Sequence, residues 1–152
     1  MLDEAVLAAL YAQAEAGYPE EVCGWLTDET VVPCENELHA RTAYRFSARD
    51  TMRLDESLRS SSPARVVYHS HVDADGAFSA ADARCAAPDG VPLWPVDWVV
   101  VEVRLGLARG ARRYRWHVNH FVVVATHVTR AGGRASQFQQ PNSQESPWRR
   151  RE

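Results

Sequence analysis

Three residues in one stretch of the chain, His69, His71 and Asp82, are of the types that bind a transition-metal ion, and their spacing suits a single ion. Neutral imidazole nitrogens and a carboxylate oxygen are ligands that Zn²⁺ accepts, and three protein ligands leave its fourth tetrahedral position open for water. That is the layout of a catalytic site, because a structural site closes all four. The residues leading into the pair, Ala64-Arg65-Val66-Val67-Tyr68, are rich in β-branched and aromatic types, so the segment reads as a strand. Residues two apart on a strand project from one face, which aims His69 and His71 the same way. Seven residues later, Ser79-Ala80-Ala81-Asp82 carries Ser at a helix start and an acid three positions on, which places the carboxylate in the first helical turn.

Alternatives attach to this pattern. A His-x-His pair alone arises in roughly 0.2 of shuffled chains of this composition, and requiring Ser and Asp at the later positions lowers that to roughly one in a thousand. Ser79 and Asp82 also have the spacing of a capping box. The two readings are compatible if Asp82 binds the ion while Ser79 caps the helix or faces a substrate.

Elements must exist to hold these residues. An amphipathic helix is predicted from about Leu2 to Ala16, with Leu2, Val6, Leu10 and Ala14 at intervals of four and Gly17 as its stop; Glu21 follows just beyond. Val22 to Leu26 and Thr30 to Pro33 read as a strand pair across Asp28-Glu29, with a further strand around Tyr44-Arg45-Phe46. A helix is expected from about Asp50 to Ser60, then the strand Ala64 to His71 and the helix Ser79 to Ala87. Strands Asp97 to Leu105, Arg112 to Val118 and Phe121 to Thr129 complete the pattern. The class is α+β, with helices flanking a mixed sheet. The chain of 152 residues suits one domain, 1–130. Residues 131–152, rich in Gly, Gln, Ser and Asn, read as a flexible tail whose Trp148 and Arg149 to Arg151 fit a solvated terminus better than a docking element.

Composition excludes several roles. A net charge of −3 with 24% charged residues and no basic stripe ahead of the last few positions argues against a nucleic-acid partner. No membrane span is visible, and Asp3, Glu4 and Gln13 interrupt any N-terminal apolar run of signal-peptide length, which points to the cytoplasm. Cys23, Cys34 and Cys85 are an odd number without paired spacing; Cys23 and Cys34 read as core residues. Cys85, three after Asp82, could approach the ion, though inert burial is the commoner fate of such a residue. His117, His120 and His127 fall in strand-like sequence, where His117 and His120 are expected on opposite faces of one strand, and His39 sits in a polar loop. All 17 basic residues are Arg, so the chain offers no side-chain amine to an isopeptide-linked modifier.

The pattern His69-x-His71-x7-Ser79-x-x-Asp82 resembles the signature of the JAMM (MPN+, JAB) zinc metalloproteases. Upstream, Pro19-Glu20-Glu21-Val22-Cys23-Gly24-Trp25-Leu26 is similar to the P-x-E-x-C-G-x-L opening of small bacterial members, and Asn36 and the strand Trp98 to Val103 also sit where such proteins have similar features. The likeness spans roughly residues 1 to 118. It departs at Val72 and Phe78, where many members have Pro, and at Thr27-Asp28, where a Gly is common; no ligand or acid is lost.

The resemblance implies a cytidine-deaminase-like fold with a mostly antiparallel central sheet, Zn²⁺ held by His69, His71 and Asp82, Glu21 as catalytic acid/base, and Ser79 as donor to the oxyanion. It implies hydrolysis of a peptide or isopeptide bond following the Gly-Gly end of a ubiquitin-like protein. With little room for insertions between Asp82 and the next strand, a sulfur carrier bearing a C-terminal extension is the first substrate expected. A deconjugating isopeptidase acting on a bacterial ubiquitin-like modifier, as in an antiphage system, is the second. An inactive scaffold is disfavoured because every ligand and the acid are present. The DNA-associated RadC-like branch is disfavoured because His69-Ser70-His71-Val72-Asp73-Ala74 does not match its H-N-H-P-S-G run.

Overall fold

Asp3 opens the first helix by accepting a hydrogen bond from the Ala5 amide at 2.7 Å, which satisfies a donor that a helix start otherwise leaves unpaired. The helix that follows, α1, spans Glu4–Gly17 in a computed structural model that describes residues 2–129; the tail expected at 131–152 lies outside the described residues. A short hairpin comes next, β1 (Cys23–Leu26) against β2 (Val31–Cys34). Ser47 caps α2 (Ala48–Leu58) through the Asp50 amide at 3.1 Å, two positions ahead of the start expected from the apolar spacing. The remaining elements are β3 (Val66–Val72), α3 (Ala80–Ala86), β4 (Asp97–Arg104), β5 (Leu107–His117) and β6 (His120–Val128).

The six strands form one sheet in the order β2-β1-β3-β4-β5-β6, and only β3 and β4 run parallel. Parallel neighbours need a crossover, and α3 lies within it. The fold is α+β, as the sequence leads one to expect. All seven residues of β3 are buried, the polar His69, Ser70 and His71 included, so these three need partners inside the protein. On one face, Trp25, Val67, Trp98 and Val100 pack with Phe46 and with Leu54 of α2; on the other, Tyr68, Val99, Val101 and Val103 pack with Leu10 and Ala14 of α1. His69 and His71 share the parity of Val67 and so belong to the α2 side. Gly24 of β1 is required by this packing, since a Cβ there would collide with the Val32 carbonyl and the Tyr68 ring.

Three local expectations are corrected. Tyr44 to Phe46 form no strand, because Asn36 takes over the backbone of this segment: its side-chain oxygen accepts from Leu38 N and Arg45 N, and its amide donates to the carbonyls of Glu21 and Ala43. β5 starts at Leu107, since Leu105 (φ 51°) and Gly106 (φ 76°) make a two-residue turn with positive φ at both positions, the geometry whose twist suits a hairpin. His117 and His120 do not share a strand; they are cross-strand partners on either side of a turn containing Val118 at φ 57°.

Candidate metal centre and active site

The pleat of β3 brings the His69 and His71 rings to 5.0 Å between centroids, with their Nε2 atoms 3.2 Å apart. Asp82, in the first turn of α3, reaches both: Oδ1 lies 3.2 Å from His69 Nε2 and Oδ2 lies 3.2 Å from His71 Nε2. The capping box is formed as well. Ser79 Oγ accepts the Asp82 amide hydrogen at 3.0 Å, and Asp82 Oδ2 accepts that of Ser79 at 2.7 Å. One carboxylate therefore fixes the helix start and faces both imidazoles.

These groups fit a metal ion. His71 Nδ1 lies 2.6 Å from the Asp75 carbonyl, which can only accept, so the proton sits on Nδ1 and the neutral ring presents a lone pair at Nε2. Two imidazole nitrogens and a carboxylate then converge with 3.2 Å separations. The edge of a tetrahedron with bonds of 2.0–2.1 Å is about 3.3 Å, so this spacing suits Zn²⁺. Among the described residues these three form the group able to hold an ion. His69 is wholly buried, stacked on Tyr44 at 4.5 Å between centroids, and its Nδ1 has no partner among the described residues.

Charge states follow from these surroundings. Burial pushes the His69 pKa down and keeps the ring neutral. Burial also opposes charge on His71 and Asp82, but their mutual contacts outweigh it: His71 is held above its ordinary value, and Asp82, facing both rings, well below the usual carboxylate range. Glu21 is only 6% exposed, and burial, helped by the Asp82 charge and opposed by His71, raises its pKa to about 7.

The Glu21 backbone is pinned from two sides. Its N–H donates to the Ala40 carbonyl at 2.9 Å, and its carbonyl accepts from the Asn36 amide at 3.0 Å. The next residue, Val22, donates to Ser70 Oγ at 2.9 Å, so the serine between the two histidines ties the acid to β3. Glu21, His71, Ser79 and Asp82 line a single cavity of about 200 Å³, with Arg41, Tyr44 and Cys85 around it. Cys85 is exposed at this cavity, contrary to the burial expected of it. A larger cleft of about 500 Å³ beside Asp97 offers no comparable set, because its Arg65, Arg113 and Arg115 are each paired with Asp28 or Asp97.

The structure thus brings together all five residues singled out from sequence: His69, His71 and Asp82 as one cluster, with Glu21 and Ser79 beside it. Reasoning from sequence missed Ser70, Tyr44 and the Asp75 carbonyl. Ser70 had a signal in its place between the histidines; a backbone carbonyl has none.

A model of the family described as prokaryotic homologs of the JAB domain matches residues 3–137. No curated protein matches the chain. The solution structure of a protein from Salinibacter ruber is similar in fold, with a TM-score of 0.57 and 24% identity over 80% of this chain and 86% of that one.

Proposed function

The chain belongs to the prokaryotic JAB-domain family, and from that premise we propose that it is a zinc-dependent peptidase. Its substrate in this reading is a ubiquitin-like sulfur-carrier protein, cut immediately after the Gly-Gly terminus. The observation that carries the reading is a cluster able to hold an ion, of which His71 and Asp82 line one cavity together with a buried acid and a hydroxyl donor. His69, His71 and Asp82 would hold the ion, which when bound supplies Lewis-acid polarisation and acidifies water.

The chain's own residues do the rest. Glu21, buried beside the cluster and lining the same cavity, is placed to take a proton from water and to pass it to the departing amine. Ser79 Oγ already accepts the Asp82 amide hydrogen, which leaves its hydroxyl hydrogen free to donate to an oxyanion. The Asp75 carbonyl fixes the His71 tautomer. A cavity of about 200 Å³ favours a segment without side chains, as a Gly-Gly end is.

A second reading, release of a ubiquitin-like modifier from a Lys side chain, is favoured by one observation: the protein has no Lys and so cannot become a target of the conjugation it reverses. Intact-mass measurement of zinc-loaded protein acting on a carrier with a C-terminal extension, and on the same carrier joined to Lys, separates the two. The extended carrier is expected to be cut faster. Isopeptide cleavage faster by more than about tenfold, equal to about 1.4 kcal/mol of transition-state preference, moves the assignment to deconjugation. Cleavage of neither overturns the peptidase reading.

A further inference from the structure

Gly-Gly carries no side chains, so a groove beside the site that fits a large side chain serves residues outside that pair. Such a groove adjoins the metal cavity. Ser79 lines both the cavity described above and a second one of about 430 Å³ running along α3. Pockets that hold small ligands are commonly about 300–1,000 Å³, so the groove has room for a whole residue.

Its surfaces differ in character. Ala80, Ala83 and Ala87 give it a side of small residues, Ala80 and Ala83 three apart on α3 and Ala87 at its end. Phe78, Trp116 and Phe121 give it an aromatic side, with Phe78 and Trp116 lying 4.6 Å and 4.9 Å from Phe121 between ring centroids. The aromatic side is fixed, because Tyr114 donates its hydroxyl hydrogen to the Gly76 carbonyl at 2.9 Å and accepts the Phe78 amide hydrogen at 3.1 Å. Arg84 also lines the groove and makes no ion pair among the described residues.

We infer that this groove is the subsite for the segment that leaves, and that it takes an aromatic residue at the free C-terminus of a short extension. The aromatic wall matches the ring, and Arg84 matches the terminal carboxylate, a planar anion that guanidinium pairs with through two parallel hydrogen bonds. The groove and the metal cavity meet at Ser79, which lines both, so a segment leaving the cavity past that residue has the groove as its neighbour. The inference rests on the reading of the site as a carrier-processing peptidase, and it adds what the carrier must lose.

The test uses the full-length zinc-loaded protein and three carriers ending in Gly-Gly-Ala-Phe, Gly-Gly-Ala-Ala, and Gly-Gly-Ala-Phe with a C-terminal amide. The Phe carrier is expected to be cut at least tenfold faster in kcat/KM than the Ala carrier, and the amide at least fivefold slower than the free acid. Ala83→Trp, which fills the groove, should bring the Phe-to-Ala ratio close to one. Arg84→Ala should cut acid and amide at equal rates. Zinc content and circular dichroism verify that both variants fold.

Equal rates on the Phe and Ala carriers, or amide discrimination that persists in Arg84→Ala, overturn the inference. If no carrier is cut, the peptidase reading falls, and the groove is judged by binding alone. Free Ala-Phe dipeptide should then give a saturable NMR shift of the Trp116 and Phe121 ring signals that Ala83→Trp abolishes. No shift in the unmodified protein overturns the subsite as well.

Discussion

β3 and β6 are written in nearly the same alphabet and meet opposite fates. Each combines Val, one aromatic residue and two histidines, Val66-Val67-Tyr68-His69-Ser70-His71-Val72 in one and His120-Phe121-Val122-Val123-Val124-Ala125-Thr126-His127-Val128 in the other. β3 lies between β1 and β4 with every residue buried; β6 ends the sheet with none fully buried. The histidines of β3 sit two apart, share a face and meet a carboxylate supplied by α3. His120 instead faces His117 across an exposed turn, with ring centroids 6.3 Å apart and Asn119 as its neighbour. Residue type alone does not make a metal site. A second element must deliver an anion, and burial must leave the lone pairs no water to turn to.

That contrast can be broken at several depths. The largest effect is expected from Glu21→Gln, which keeps zinc but cannot accept a proton from water; turnover should fall by about 10² to 10⁴ while metal content stays near one ion per chain. Near-normal turnover would move the role to another group. Asp82→Asn removes the anion that β6 lacks, and zinc affinity should drop by at least about 10-fold in a titration against a competing chelator. Unchanged affinity would show that the two histidines suffice, and the contrast with β6 would lose its basis.

A smaller effect is expected at the far end of the sheet, where Asp97 of β4 accepts hydrogen bonds from Arg113 and Arg115 of β5 at 2.7 to 2.9 Å. Burial alone would raise its pKa, but the two guanidinium groups outweigh burial and hold it below the ordinary 3.8. A depressed carboxylate stabilises the fold above its unfolded pKa and loses that contribution as pH falls through the folded value. Asp97→Asn should therefore cost about 1 kcal/mol at pH 7 in urea unfolding, a gap that closes below about pH 4. A gap that persists in acid would assign the effect to packing. The smallest effect belongs to His117→Ala and His120→Ala. Zinc content should not change, and stability should stay within about 0.5 kcal/mol; loss of metal from either would mean that the exposed pair binds it too.

Legibility in the sequence follows the range of the forces involved. The two-residue period of a strand and the three-residue reach of a capping box are local, so the β3 histidines and the Ser79–Asp82 turn could be read from spacing. Glu21 could not be singled out by its surroundings in the chain, where an acid at a helix–strand junction reads as exposed; its burial depends on Ala40, Asn36 and Ser70, which lie far from it in sequence. The resemblance in Pro19 to Leu26 identified it instead. Tyr44 to Phe46 have strand-forming side chains, yet Asn36, nine residues before Arg45, claims their backbone. The turn before β5 was hidden because Leu105 occupies a left-handed conformation that its side chain does not announce. Cys85 reads as buried from the usual habit of free Cys, whereas its place on α3 leaves it exposed at the metal cavity.

The brevity of α3 carries a consequence for metal binding. A seven-residue helix cannot hold itself together in water, and this one is fastened at its start by the Ser79–Asp82 box and by the contacts of Asp82 to β3. Anything that binds the closed arrangement stabilises it by mass action, so an ion gripped by Asp82 also secures the helix. Hydrogen exchange should slow in the amides of α3 when zinc is added, while the amides of buried β3 stay as protected as before. Because Ala80 and Ala83 of that helix also form one side of the groove beside Ser79, an ion held by Asp82 would steady that side of the groove together with the helix.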